Sequence, residues 1–186
     1  MRDPGRVGVL ISGRGSNMRA LVENAQGYEV VLVASNKPEA PGLEWARAHG
    51  AKIWALDSKG IGKEEFDRIL SDALEEHGVG TIALAGFMRI LSPWFVQHWS
   101  GRIVNIHPSL LPKYRGLDTH ARAIEAGDRV SGCSVHIVTE ELDAGEVLGQ
   151  AEVPVEPGDT PPSLEQRVLA AEHQLYPKVL REFVRR

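Results

Sequence analysis

Two side chains suited to acyl transfer lie two residues apart in the segment Val104-Asn105-Ile106-His107-Pro108-Ser109. In an extended segment Asn105 and His107 point to the same side, and Pro108 favours extended backbone at His107. An amide can donate to a carbonyl oxygen that becomes an oxyanion, and an imidazole can move protons near neutral pH. Considered singly, each residue fits a structural role somewhat better, a turn amide for Asn105 and a hydrogen-bonded structural histidine for His107.

A carboxylate that would complete this set is Asp143, in the turn-like stretch Glu141-Leu142-Asp143-Ala144-Gly145. Beside His107 it would favour the imidazolium form and orient the ring or a water molecule. From the residues alone, the simpler interpretation of Asp143 is an Asx turn that faces solvent.

A glycine-rich turn, Ser12-Gly13-Arg14-Gly15-Ser16-Asn17, lies between a predicted strand and a predicted helix. Backbone N–H groups and the helix dipole favour an anion at such a position. Met18 stands where the dinucleotide fingerprint has its third glycine, and no Gly-Lys-Ser/Thr follows, which excludes that fingerprint and the P-loop. The turn predicts a site for the single phosphate of a mononucleotide-like ligand; the alternative is a tight turn capped by Ser or Asn.

A weaker signal follows another predicted strand, in Ala85-Gly86-Phe87-Met88-Arg89-Ile90-Leu91. Arg89 could hold the anionic end of an amphipathic cofactor. The alternative is that Met88 and Ile90 belong to the core and Arg89 is a surface charge.

Other residues give little support for metal or RNA binding. The short basic stretch Lys113-Tyr114-Arg115 is a poor phosphate track in an acidic protein. Three histidines lack a recognisable metal-ligand spacing, namely His120, His136 and His173.

Apolar runs of strand length alternate with helical patterns along most of the chain. They predict strands at residues 7–11, 30–34, 52–56, 81–85 and 102–106, and helices at residues 18–24, 43–49, 66–77 and 94–99. This order is typical of a single-domain, Rossmann-like α/β fold, with a mostly parallel twisted sheet and helices on both faces.

The pattern changes after residue 130. Strands are predicted at residues 133–139 and 147–155 with a short connection, which indicates an antiparallel extension of the sheet near the C-terminus. A last helix is expected to begin near residues 160–163, with Ser163 and Gln166 as a capping box and Pro177 as a kink or interruption.

The composition excludes several classes of protein. The chain has 186 residues, 42% of them hydrophobic, with a net charge of −4 and one cysteine, Cys133. A mildly acidic chain without a Lys/Arg cluster is a poor nucleic-acid binder, and no apolar run approaches the ~18 residues of a membrane helix. With no signal-peptide pattern either, we expect a cytoplasmic protein that binds neither nucleic acid nor membrane.

Taken together and in order, four segments resemble the phosphoribosylglycinamide formyltransferase family. The resemblance covers nearly the whole chain, and its markers are Leu10-Ile11-Ser12-Gly13-Arg14-Gly15-Ser16-Asn17, Ala85-Gly86-Phe87-Met88-Arg89-Ile90-Leu91-Ser92-Pro93, Asn105-Ile106-His107-Pro108-Ser109-Leu110-Leu111-Pro112-Lys113-Tyr114 and Glu141-Leu142-Asp143-Ala144-Gly145. It implies formyl transfer from 10-formyltetrahydrofolate to the amine of glycinamide ribonucleotide in de novo purine biosynthesis, without a metal.

The resemblance also implies roles for individual residues. The catalytic set would be Asn105, His107 and Asp143. Contacts to the ribonucleotide would come from Gly15, Ser16, Asn17, Leu169, Ala170, Ala171 and Glu172. Contacts to the folate would come from Lys63, Met88, Arg89, Ile90, Leu91, Asn105, Thr139, Glu140, Glu141, Leu142 and Asp143.

The sequence departs from the family pattern at two of these places. Lys63 stands where an Arg is expected, so the charge is kept and the bidentate fork is lost. Asp118 stands where some relatives carry His, and no catalytic role is assigned to it. We expect one formyltransferase domain over residues 1–186, with a phosphate-binding half at about 1–100 and a catalytic and folate-binding half at about 101–186.

Three alternatives stay open: a folate formyl hydrolase, the core of a tRNA formyltransferase, and an inactive folate- or nucleotide-binding module. The first two families add an N-terminal or a C-terminal domain, which is not expected here because the first strand begins at Val7 and the chain ends soon after the last helix. The catalytic set argues against the third. A monomer and a homodimer are both compatible with the sequence.

Overall fold

The computed structural model describes residues 2–186 of the chain. These residues form seven strands, β1 (Arg6–Ile11), β2 (Glu29–Ser35), β3 (Lys52–Ala55), β4 (Thr81–Leu84), β5 (Ile103–His107), β6 (Val130–Ile137) and β7 (Val147–Pro154). They also form six helices, α1 (Ser16–Glu23), α2 (Pro41–Ala48), α3 (Lys63–Glu76), α4 (Pro93–His98), α5 (Thr119–Glu125) and α6 (Pro161–Phe183).

The strands make one sheet in the order β3-β2-β1-β4-β5-β6-β7. The first five are parallel, whereas β6 pairs antiparallel with both β5 and β7. The predicted α/β class and its antiparallel extension are therefore confirmed. Strand order reverses between β1 and β4, and open α/β sheets bind ligands outside the strand ends at such a point.

Consecutive residues of the central strands point to opposite faces of the sheet and are apolar. Both faces therefore need a cover, which the helices provide. In β1, Val9 and Ile11 pack with α1, α2 and α6, whereas Leu10 packs with α3 and α4. Gly8 leaves room for α3, since a Cβ there would lie 2.8 Å from Leu74 Cδ2.

The last helix differs from the prediction in two ways. The helix begins at Pro161, as expected, but its N-cap is Thr160, which forms the capping box with Ser163, so the predicted capping box of Ser163 with Gln166 is wrong. The predicted interruption at Pro177 is also wrong, since α6 continues through it to Phe183. Just before this proline, the hydroxyl of buried Tyr176 donates to the Leu84 carbonyl at 2.8 Å and holds the helix against the sheet.

Candidate active site

The end of β5 carries the first part of the site. Pairing with β6 sets Asn105 opposite His136 and His107 opposite Ser134. The Asn105 Nδ2 atom lies 3.4 Å from His136 Nε2. Because Asn105 pairs with His136, its side chain lies on the same face of the sheet as this second histidine.

The connection between β6 and β7 adds the carboxylate. Asp143 has a left-handed backbone, with φ 50°, and its side chain is 7% exposed. Its Oδ2 atom lies 3.5 Å from His107 Nδ1 and accepts from the Gly116 N–H at 2.9 Å. Its Oδ1 atom lies 3.6 Å from His136 Nε2. Asn105, His107 and Asp143 are thus brought together around His136, and Asp143 does not face solvent as in the simpler interpretation.

The hydrogen bonds of the two buried histidines indicate where each carries its proton. His107 Nε2 lies 2.8 Å from the Tyr114 carbonyl oxygen, which can only accept, so Nε2 donates and Nδ1 faces Asp143. His136 Nδ1 donates to the Ile137 carbonyl at 3.0 Å in the same way. Burial lowers the pKa of His136, so this ring is neutral and its Nε2 accepts from Asn105.

The glycine-rich turn lies at the end of β1, beside the end of β4. Gly15 is the N-cap of α1, with φ 68° and without a side-chain cap, so the alternative of a Ser- or Asn-capped turn does not describe it. The first backbone bond of the helix runs from the Arg19 N–H to the Gly15 carbonyl. The N–H groups of residues 16–18 therefore remain outside the helical ladder, as an anion requires.

A buried hydrogen bond joins the first turn of α1, which follows the glycine-rich turn, to α6. Asn17 Nδ2 donates to Glu172 Oε2 at 2.9 Å, while Asn17 Oδ1 is buried without a hydrogen-bond partner among residues 2–186. Burial raises the pKa of Glu172 to about 7. Residues 169–171 precede Glu172 on the same helix. Of this stretch, only Glu172 makes a side-chain hydrogen bond to the turn, and ribonucleotide contacts of residues 169–171 stay a prediction.

A cavity of about 540 Å³ opens over the catalytic set. Its wall includes Asn105, His107, Asp143, Met88, Arg89, Ile90, Leu91, Thr139, Glu140 and Leu142. Met88, Ile90 and Leu142 are 73%, 69% and 61% exposed, which contradicts a core role for Met88 and Ile90. Lys63 and Glu141 are not part of the cavity wall formed by residues 2–186.

A buried serine connects this cavity to the glycine-rich turn. Ser12 Oγ accepts from the Met88 N–H at 2.8 Å and donates to Asn36 Oδ1 at 2.6 Å. The turn at the end of β1 and the cavity wall after β4 are therefore held as one unit.

Residues 5–180 match the sequence model of the formyl transferase family. The chain belongs to this family. It is 47% identical over 180 residues to the phosphoribosylglycinamide formyltransferase of Escherichia coli (strain K12), covering 94% of this chain and 85% of that protein.

Other relatives with related names are much longer. The trifunctional purine biosynthetic protein adenosine-3 of Gallus gallus is 48% identical over 94% of this chain. The chain spans only 18% of that protein and 14% of its Drosophila melanogaster counterpart.

Solved structures of the family share the fold. The phosphoribosylglycinamide formyltransferase of Brucella melitensis superimposes with a TM-score of 0.91 at 46% identity, covering 99% of this chain and 96% of that one. The glycinamide ribonucleotide transformylase 1 of Symbiobacterium toebii gives 0.92 at 40% identity, covering 97% and 87%.

Residues 2–186 contain neither a cluster of metal-binding side chains nor a helix suited to span a membrane. No three His, Cys, Asp or Glu side chains are grouped so that they could hold a metal ion. Over the same residues, no helix combines the length and apolar character needed to cross a membrane.

Sequence reasoning missed two contributors to the site. His136 was considered only as a metal ligand, because its position opposite Asn105 depends on strand register. The Tyr114 carbonyl carries no side-chain signal at all, although it determines which nitrogen of His107 faces Asp143.

Proposed function

We propose that this chain transfers the formyl group of 10-formyltetrahydrofolate to the amine of glycinamide ribonucleotide, a step of de novo purine biosynthesis. The observation that supports this most directly is the placement of Asn105, His107 and Asp143 on the wall of one cavity. Membership of the formyl transferase family and the names of its relatives support the same substrates.

The turn at the N-terminus of α1 suits the phosphate of the ribonucleotide. The N–H groups of residues 16–18 and the helix dipole provide fixed donors for an anion. Gly15 supplies the left-handed turn that exposes them. We assign Glu172, which accepts a hydrogen bond from Asn17, to the ribose hydroxyls or the glycinamide group.

The cavity suits a flat ligand with polar edges. The exposed apolar side chains of Met88, Ile90 and Leu142 provide the walls, and the polar catalytic set lies among them. Arg89 belongs to the same wall and provides a cation for an acidic tail. We assign Thr139, Glu140, Glu141 and Lys63 to this folate-binding region as well, Lys63 as a charge at its outer end.

The folate supplies the formyl group, and the side chains carry the charge and the proton during its transfer. An α-amino group with a pKa of about 8 is partly neutral near pH 7, so it can attack without a strong base. Asn105 Nδ2 donates to the formyl oxygen as that oxygen gains negative charge.

His107 completes the reaction by moving a proton. Its Nδ1 is the nitrogen that is free for this, because Nε2 is bound to the Tyr114 carbonyl. A new bond forms between the amine and the formyl carbon, the bond to the folate nitrogen breaks, and the amine proton passes to that nitrogen. Asp143 stabilises His107 while it carries the proton.

An assay with three formyl acceptors tests the proposal. Glycinamide ribonucleotide, water and formyl-acceptor tRNA would each be supplied with 10-formyltetrahydrofolate, and the formylated products quantified. We expect formylglycinamide ribonucleotide to be the main product. Dominant hydrolysis would indicate a folate formyl hydrolase, dominant tRNA formylation a tRNA formyltransferase core, and no product an inactive binding module; each would contradict the proposal.

Two coarser features of the molecule are also proposals. We infer a single formyltransferase domain in the cytoplasm, with the phosphate site in the first half and the catalytic and folate sites largely in the second. A monomer and a homodimer both fit this arrangement, and sedimentation velocity at several protein concentrations distinguishes them.

A further inference from the structure

A short loop segment, residues 114–116, contacts both ionisable members of the catalytic set. The Tyr114 carbonyl accepts from His107 Nε2 at 2.8 Å. Two residues later, the Gly116 N–H donates to Asp143 Oδ2 at 2.9 Å. The backbone of this segment therefore determines how the imidazole and the carboxylate face each other.

The segment is held in an unfavourable backbone conformation by a side chain outside the cavity. Tyr114 has φ 53°, a left-handed value that is unfavourable for a residue with a Cβ. Its hydroxyl donates to Asp128 Oδ2 at 2.6 Å. This hydrogen bond also lowers the pKa of Asp128, so the carboxylate is charged at neutral pH.

An arginine side chain also binds the backbone of this loop. Arg122 on α5 donates to the Arg115 carbonyl at 2.6 Å and to the Leu117 carbonyl at 3.2 Å. Its guanidinium also lies 5.2 Å from the centre of the Tyr114 ring. Hydrogen bonds thus fix the segment at two places. Asp128 binds the Tyr114 hydroxyl, and Arg122 binds the carbonyls of the residues on both sides of Gly116.

We propose that Asp128 and Arg122 are positioning residues that act through residues 114–116, keeping His107 in its Nε2–H tautomer with Nδ1 toward Asp143. Neither side chain is part of the cavity wall, so both act at a distance from the reacting atoms. The effect on rate rests on the proposed function, whereas the effect on the tautomer does not.

The tautomer can be measured without any substrate. In ¹⁵N-labelled protein at alkaline pH, where imidazoles are neutral, long-range ¹H–¹⁵N spectra distinguish the Nε2–H from the Nδ1–H form. We expect nearly pure Nε2–H for His107 in the wild type and a clear Nδ1–H population in Asp128→Ala and in Tyr114→Phe. Unchanged spectra in both variants would overturn the proposal.

Lys113→Ala is the matched control. Lys113 Nζ lies 3.4 Å from both Asp128 oxygens and 5.9 Å from the centre of the Tyr114 ring, but its side chain makes no hydrogen bond to the loop backbone or to the catalytic set. This variant should keep the wild-type tautomer. A shift in Lys113→Ala as large as that in Asp128→Ala would overturn the assignment to the Tyr114 hydroxyl.

Kinetics provide the second readout. In Asp128→Ala the kcat for formyl transfer should fall about three- to ten-fold, as expected for one lost hydrogen bond, with both KM values nearly unchanged. Asp128→Asn, which keeps an acceptor oxygen for the Tyr114 hydroxyl, should recover most of the loss. A rise in KM without a fall in kcat, or an equal loss in Asp128→Asn, would contradict a positioning role. If the wild type proves inactive, the proposed function fails, but the NMR comparison still tests whether Asp128 positions His107.

Discussion

Within the site, the two buried histidines carry their protons on opposite ring nitrogens. His107 donates from Nε2 and His136 from Nδ1, each to a backbone carbonyl. As a result, both remaining nitrogens face Asp143, at 3.5 and 3.6 Å. A neutral His136 also orients the Asn105 amide by accepting from Nδ2, so the proposed oxyanion donor is linked to Asp143 through His136, whereas the proposed proton carrier, His107, faces Asp143 directly.

A pH-dependent stability difference is predicted for Glu172. Its pKa is about 7 in the folded protein and about 4.5 when unfolded, so protonation favours folding. Relative to Glu172→Gln, the free energy of unfolding of the wild type should therefore fall between about pH 4.5 and 7, by an amount on the order of 1–3 kcal/mol.

Urea unfolding of both proteins across this pH range measures the difference. Glu182→Gln, an exposed change on the same helix, provides the control and should show no comparable trend. A flat difference for Glu172→Gln would mean that the carboxylate is solvated in the folded protein.

At the scale of elements, three loops after parallel strands and one hairpin connection build the site. The turn after β1 meets the loop after β4 through Ser12 and Met88, and the end of β5 meets the β6–β7 connection through His107 and Asp143. Each loop follows a strand of the same sheet, so the distances among them depend on the rigid core and not on loop flexibility.

Hydrogen exchange with two different ligands tests the assignment of separate loops to the folate and to the phosphate. A folate analogue should protect the amides of residues 88–91 and 139–143, because these loops form the cavity wall. Ribose 5-phosphate should instead protect residues 16–18 at the start of α1. Protection confined to α6 with either ligand would refute both assignments.

Local patterns explain which elements were predictable. The apolar runs of β1, β2 and β4 and the stripe of α3 predicted their elements to within a few residues, since each pattern follows from burial. Helix α5 was missed because it is short and its N-cap, Asp118, has a left-handed backbone without a side-chain cap. The passage of α6 through Pro177 depends on tertiary contacts of Tyr176, which no local rule contains.

The candidate site was predictable to a similar extent. Asn105, His107 and Asp143 carry recognisable side chains, whereas His136 acquires its place only from antiparallel register. The backbone contacts of Tyr114 and Gly116 depend on the folded loop and have no signature in the residue types.

For the molecule as a whole, a core on each face of the sheet keeps the loop ends in place. Gly8→Ala would push a Cβ to within 2.8 Å of Leu74 Cδ2 and 3.1 Å of Val79 Cγ2. We expect a loss of about 1–3 kcal/mol in the free energy of unfolding, with kcat per folded molecule unchanged because the site lies at the opposite end of β1.

Thermal unfolding together with kinetics checks this separation. Gly62→Ala is the matched control, since its Cβ would approach only Glu65, at 4.0 Å. A stable Gly8→Ala variant with reduced kcat would show that the core and the site are coupled in a way not described by these contacts.

The central claim, that His107 and Asp143 act as one proton-carrying unit in formyl transfer, is tested most directly by a double-mutant cycle of kcat with glycinamide ribonucleotide. His107→Ala should lower kcat roughly 10²–10⁴-fold, and Asp143→Asn, which keeps an acceptor for the Gly116 N–H but removes the charge, should also lower it strongly. Asp72→Asn, on the exposed side of α3, should have no effect. The account predicts that the double variant is little worse than His107→Ala alone. A double loss equal to the product of the two single losses would contradict it.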